Sequence, residues 1–417
     1  MKRKTTILLL IILVLLMVSV TASAQAVVGE KIKVDNLYYC ITSLTPATVE
    51  VAPQNDVAPY WNEADKPTGD LVIPATLTHD GMEYTVNSIG GNAFRACESL
   101  TAVTIPNSVE TIGSQAFRDC KGLTAFSIPN SVETIGMRAF FSCKQLTTVS
   151  IPASVTTIGE TPFSWCTNLT TITVDKANTA YCSQDGILFN KDMTTIVRYP
   201  PAKADTAYTI PASVITIRNS AFNEAKLTAV TIPNSVETIE EYAFNACRAL
   251  TVINIPNSVE TIELGAFNNC QKLTAINSQI VDPATVTLGN NVFRRIPKGT
   301  DDNACTLYVP DGSKLDYQEA AQWKDFAPNI KEDTFTGLEN NLTEQGVTVR
   351  GGKGEIYIYI SVGASRNLSE LSVDVYNLSG ALVYSVETSR TLFLQIPIDT
   401  GVYVVHTSNG TEKVIVW

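Results

Sequence analysis

The sequence predicts a β-rich solenoid built from 23-residue rungs, each a short strand plus a helical turn, followed by a small all-β immunoglobulin-like sandwich. Three observations carry that expectation. The phrase that opens at Leu100 returns from Leu123 and Leu146, and again from Leu227 and Leu250, at a spacing of 23 residues; fixed self-similarity of that length marks stacked units. The 417-residue chain is 45% hydrophobic and 17% charged, so it can bury a core. After a polar stretch at 333–346, seven strand-like segments begin near Val347, Glu355, Leu371, Ala381, Thr391, Gly401 and Thr411, the count and spacing of a sandwich.

Residues 1–24 read as a secretory signal peptide. Lys2, Arg3 and Lys4 form a basic start, Ile7 to Val20 are almost uninterrupted apolar residues, and Ala22-Ser23-Ala24 offers small residues for cleavage before Gln25. The 14-residue run rises only about 21 Å as a helix, short of a hydrocarbon core of about 30 Å, so no transmembrane span is expected in the mature protein. Residues 25–90 read as an N-terminal β cap: Leu37 to Thr42, Leu71 to Ile73 and Tyr84 to Val86 alternate and lead into a partial rung at Ile89, Ala93, Phe94 and Cys97.

The solenoid is expected over 91–332. In its first full rung Leu100, Val103 and Ile105 have the L-x-x-V-x-I spacing of a leucine-rich repeat, whose strand turns alternate side chains inward. Pro106 lacks an N–H for the ladder, so the chain turns at Pro106-Asn107-Ser108. Val109 and Ile112 then face inward, and Ala116, Phe117 and Cys120 are expected on one face of a helical turn. A single rung cannot bury enough apolar surface to offset the entropy of ordering it, so rungs must stack and both ends need caps. At about 169–226 the period breaks, and Asp185-Gly186 suggests a rung with an inserted hairpin. The pattern decays after Leu273, giving a C-terminal cap at about 274–332. There Ser313-Lys314-Leu315-Asp316 suggests a capping box opening a helix through Trp323, with Leu315, Ala320, Trp323 and Phe326 plugging the core. Residues 333–346 read as a linker and 347–417 as the sandwich.

The phrases LTAVTIPNSVETIGSQAFRDC, YCSQDGILFNKDMTTIVRYP and CTLYVPDGSKLDYQEAAQWKDF, within residues 30–332, resemble the BspA-like leucine-rich-repeat proteins of bacterial surfaces. The resemblance implies a protein that binds host matrix proteins or other bacteria. Val373-Asp374-Val375-Tyr376-Asn377-Leu378-Ser379-Gly380 and Gly401-Val402-Tyr403-Val404-Val405 resemble the C-terminal sorting domain of the type IX secretion pathway, although the chain ends in Val416-Trp417 with Lys413 as the one nearby base. That second resemblance implies secretion to the outer surface of a Gram-negative, Bacteroidetes-like bacterium.

Composition narrows the chemistry. With 41 acidic against 30 basic side chains and a net charge of −11, the chain repels phosphate backbones, so no nucleic-acid partner is expected. Its two histidines, His79 and His406, are far apart in sequence, and no G-x-S-x-G, H-E-x-x-H or phosphate loop occurs. No catalytic residue, metal site or cofactor is assigned, and the chain reads as a non-enzyme.

Three repeated positions remain. Cys97, Cys120, Cys143, Cys166, Cys247 and Cys270 each follow a phenylalanine by three residues. They are open to buried thiols, disulfides or metal; parallel side chains and an odd total of nine favour thiols. Glu110, Glu133, Glu237 and Glu260 share one rung position, a solvated face or an edge that steers a basic partner. Thr104, Ser127, Ser150, Thr173, Thr231 and Asn254 form a row of small polar groups on the strand face, explained by strand propensity or by binding of extended protein or glycan. The reading favours an adhesin-like binding module that contacts a host or bacterial surface protein through the solenoid; a self-associating structural protein and a glycan-binding module are the alternatives. The oligomeric state is not legible.

Overall fold

The computed structural model describes residues 26–299 and 304–333, and beyond them Ala381 and seven strands between 347 and 416. The chain divides into two compact units between Glu332 and Asp333. The expected signal peptide and residues 334–346 of the expected linker lie outside the described residues.

The first unit is a β-solenoid of about ten turns. All eight inward positions of the first full rung are buried, from Leu100 and Phe117 at 0% exposure to Ile105 at 8%. Two parallel ladders run along the stack. Thr111-Ile112, Thr134-Ile135 and Thr157-Ile158 pair in register, each with its equivalent one rung on. The longer strands pair likewise, as Thr148–Ile151 does with Thr171–Val174.

The third side of the rung is not the expected helical turn. Gln115 and Asp119 have φ of 58° and 61°, the left-handed region, and the segment is a pair of consecutive turns. Ala116 N–H and Cys120 N–H close turns on Gly113 and Phe117, while Phe117 N–H and Asp119 N–H donate to Ala139 and Phe141 of the next rung, both at 2.8 Å. A helix would spend all these N–H groups internally; stacking requires alternate ones to point along the solenoid axis.

Side chains reinforce the stack. Phe94, Phe117, Phe140 and Phe163 stack with centroids 5.1–5.7 Å apart. The serine of the I-P-x-S-V phrases, placed in a turn by the sequence, clasps the previous rung: Ser108, Ser131 and Ser154 donate to the carbonyls of Val86, Val109 and Val132 at 2.6–2.7 Å.

Three antiparallel strands interrupt the regular rungs. Ile187–Asn190 pairs antiparallel with Tyr181–Gln184 through the Asp185-Gly186 turn, and also with Thr195–Arg198. Thr195-Ile196 then starts a new parallel ladder with Thr216-Ile217. This inserted meander divides the interior into two cores: Leu188 and Val197 pack with the first, Ile187, Phe189, Ile196 and Tyr199 with the second.

The ends are closed by aromatic residues. Trp61, which the sequence did not single out, is 2% exposed and donates its indole N–H to Ala93 O at 2.8 Å. At the other end the rung pattern outlasts Leu273: Thr287-Leu288 pairs with Thr261-Ile262, and Phe293 stacks on Phe267 at 5.9 Å. The final helix is shorter than expected, Lys314–Glu319. Its capping box does not form, because Ser313 Oγ donates back to Pro310 O at 2.6 Å while Glu332 accepts from Lys314 N–H at 3.3 Å. Trp323 and Phe326 plug the core as expected and Ala320 packs against it, but Leu315 is 74% exposed and Tyr317 takes the inward place.

The second unit contains the strands Val347–Gly352, Glu355–Ile360, Leu371–Asn377, Leu382–Thr388, Leu392–Pro397, Gly401–Thr407 and Gly410–Val416. They form one three-stranded and one four-stranded antiparallel sheet.

Candidate functional site

The row of small polar residues does not form one continuous face. Ser127, Ser150 and Thr173, all exposed, come together around an open recess of about 550 Å³ on the first half of the solenoid. Thr104 lies one rung earlier, paired with Val72, outside the recess lining. Thr231 and Asn254 sit beyond the meander on a separate sheet, where Asn277 Nδ2 donates to Asn254 Oδ1 at 2.7 Å. The inserted segment therefore splits the row in two.

The recess has a local cause. In the neighbouring rungs the inward strand position is Val103 or Val149; here it is Phe126, whose ring lies edge-on to Phe117 and Phe140 at 5.1 and 4.5 Å. Ala125-Phe126 pairs with Ala102-Val103 on one side, whereas Thr148–Ile151 belongs to a different sheet, so the ladder is interrupted between these two rungs. Ile128, Ile151 and Val174 supply an apolar floor beneath the hydroxyls. Asp175 and Lys176, both exposed, place one carboxylate and one ammonium at its far edge. None of the lining residues is aromatic. Neutral hydroxyls over an apolar floor suit hydrogen bonding and apolar contact rather than proton transfer.

The glutamate position also divides. Glu110 and Glu133 are exposed neighbours, joined through Glu133 N–H and Glu110 O at 2.8 Å, and Glu237 and Glu260 are joined in the same way at 2.9 Å. Thr156 follows the first pair and Ile215 precedes the second. Beside the second pair, Glu240 accepts from Asn219 N–H at 2.8 Å, and burial pushes its carboxyl above the usual range.

Five thiols of the cysteine column, all but that of Cys97, have a defined acceptor that the spacing did not reveal. Cys120, Cys143 and Cys166 point to the carbonyls of Phe94, Phe117 and Phe140 one rung back, with S···O distances of 3.0–3.2 Å. All nine cysteines are free. Burial pushes Cys97 and Cys166 up to about 12. Such thiols are packing groups, protonated at neutral pH and poor nucleophiles.

His79 sits beside the Asp80-Gly81 turn, 3.6 Å from the Asp80 carboxylate. His406 falls in the strand Gly401–Thr407 of the other unit, paired in register with Asp374. Among the described residues no group of three or more His, Cys, Asp or Glu is gathered to hold a metal, and no helix is long and apolar enough to cross a membrane.

The geometry defines a class: a leucine-rich-repeat solenoid with a polar-rimmed recess on its strand side. Residues 81–199 and 203–298, just over half of the chain, match the family described as the BspA type leucine rich repeat region, in six copies, and the chain belongs to that family. Among solved structures it is similar to the pneumococcal vaccine antigen PcpA, with 19% identity over 74% of this chain and 98% of that one and a TM-score of 0.47. It is also similar to a leucine-rich repeat protein from Eubacterium ventriosum (23% identity, 68% and 80% coverage, TM-score 0.49). A third is a leucine rich cell surface protein from Faecalibacterium prausnitzii (22%, 75% and 97%, TM-score 0.43). No curated protein matches the chain.

Proposed function

We propose that this chain is an exported, cell-surface protein-binding module that contacts host matrix proteins or other cells through the recess at Ser127, Ser150 and Thr173. The observation that carries the reading is the recess itself: three rungs place exposed hydroxyls over an apolar floor where the strand ladder is interrupted next to Phe126. An extended polypeptide matches such a surface, since its backbone offers donors and acceptors to the hydroxyls and its side chains can reach the apolar floor. Sugars favour aromatic stacking platforms, so the lack of an aromatic lining residue favours protein over glycan.

Export rests on the N-terminal pattern of Lys2 to Ala24, and delivery to the outer surface on the terminal strands, read as an immunoglobulin-like sandwich of sorting type. The boundaries that go with this reading are a cap over 25–90, a solenoid over 91–332 and a terminal module over 347–417.

The test is label-free binding of the chain from Gln25 onward to a panel of matrix proteins, mucins, glycans and bacterial surfaces at two salt concentrations. A saturable protein ligand lost about tenfold or more when Ser127, Ser150 and Thr173 are changed to glutamate supports the recess. Binding that instead depends on salt and on Glu237 and Glu260 moves the site to the acidic edge. Silence across the panel from well-folded protein rejects the adhesin reading, leaving self-association to be checked by sedimentation.

A further inference from the structure

The meander that parts the two cores leaves a polar seam between them. Arg198, at the end of Thr195–Arg198, is 2% exposed. Burial lowers its guanidinium to about 10, so it stays charged at neutral pH. Its Nη1 donates to Ser220 O at 2.6 Å, while Nε and Nη2 are buried with no protein partner. Glu224 lies within electrostatic reach, and its Oε2 is likewise buried with no protein partner. Cys166 and Cys247, the cysteines on either side of the interruption in the column, are also within reach of Arg198.

The same stretch of chain holds the buried and unpartnered Thr161 Oγ1, Ser164 Oγ and Asn223 Oδ1. Six of the ten such side-chain atoms among the described residues belong to these five residues, so the deficit is concentrated here rather than spread along the solenoid. A dry seam would strand a buried cation and several dipoles, which is costly. The mix of groups identifies what relieves it. Arg198 offers only donors, Asn223 Oδ1 and Glu224 Oε2 only acceptors, and the two hydroxyls offer both. An anion would serve Arg198 and leave the acceptors unmet; a cation would do the reverse. Water donates and accepts, and buried waters typically make about three hydrogen bonds to such groups.

We propose that the junction of the two half-solenoids is an internal hydration site, in which a small cluster of ordered water links Arg198 to Glu224 and takes in Ser164 and Asn223. The experiment is a high-resolution crystal structure of the full chain, from crystals soaked in sodium bromide at neutral pH, with anomalous data. Ordered waters within hydrogen-bond distance of Arg198 Nε or Nη2 and of Glu224 Oε2, without an anomalous peak, are expected. A bromide peak at Arg198, or a dry seam closed by direct Arg198–Glu224 contact, would overturn the proposal. Hydrogen exchange on the same protein supplies a second reading: the amides of Phe222 and Ala225 should exchange about tenfold or more faster than those of Phe117 and Cys120, which sit in uninterrupted rungs. Equal protection of the two pairs would count against it.

Discussion

Gly136 shows how little room separates neighbouring rungs. A Cβ placed on it would stand 2.5 Å from Ser114 N and 2.6 Å from Gly113 C, both backbone atoms of the preceding rung. Gly136→Ala should therefore destabilise the solenoid by about 1–3 kcal/mol, read as a lower urea midpoint, with binding by the folded protein preserved. The cysteine column makes a different demand. Burial raises the folded-state thiol values, to about 12 for Cys97 and Cys166. The protonated form is thus favoured in the fold, and the stability this confers is complete below the ordinary thiol value near 9. It is lost as pH rises from there toward 12. Urea unfolding at pH 7, 9 and 10.5 should show a midpoint that holds to about 9 and then falls; replacing Cys143 and Cys166 with alanine should lower stability at pH 7 and flatten that fall.

At the level of elements, Phe126 is the replacement with the clearest consequence. Its position is valine one rung before and one rung after, and the ladder breaks beside it. Phe126→Val is expected to rejoin Ala125-Phe126 with Thr148–Ile151, narrow the recess and weaken ligand binding about tenfold while leaving the fold intact; a crystal structure of the variant and its binding curve would check both parts. The terminal helix and the left-handed turns mark where element-level reading failed. Six residues, Lys314–Glu319, are too few for apolar periodicity to identify a face, and the buried residue is Tyr317 rather than Leu315. The spacing of Ala116, Phe117 and Cys120 fits a helical turn as well as the observed pair of turns. Only the inter-rung bonds from Phe117 and Asp119 distinguish them.

For the molecule as a whole, the decisive fact is that one solenoid has two cores. Contacts in a stack are between nearest neighbours, so a break in the aromatic column and in both ladders limits cooperativity across it. Phe163 ends one column, and Tyr199, Phe222 and Phe244 begin the other at 5.3 and 4.8 Å. Equilibrium unfolding should show two transitions in the solenoid. Ile135→Ala should move the one reported by Trp61, and Ile239→Ala the one reported by Trp323, since each pair shares a core. A single transition shifted equally by both changes would mean that the meander transmits stability as an ordinary rung does.

The sequence by itself determined the rung. A 23-residue period and eight inward apolar positions are legible because solenoid contacts are local and repeat. The seven terminal strands were legible for a similar reason, as each is a short apolar run bounded by turn residues. The tertiary structure decided whatever depends on how one rung meets the next. It turned an expected helix into left-handed turns, assigned the serines and thiols to carbonyls one rung away, and split the hydroxyl row so that Ser127, Ser150 and Thr173 share a recess while Thr231 and Asn254 do not. The physical reason is that equal spacing along a chain fixes which face a residue occupies, whereas its neighbours across the stack are set by backbone hydrogen bonds and side-chain volume, and one inserted meander or one phenylalanine in place of valine changes both.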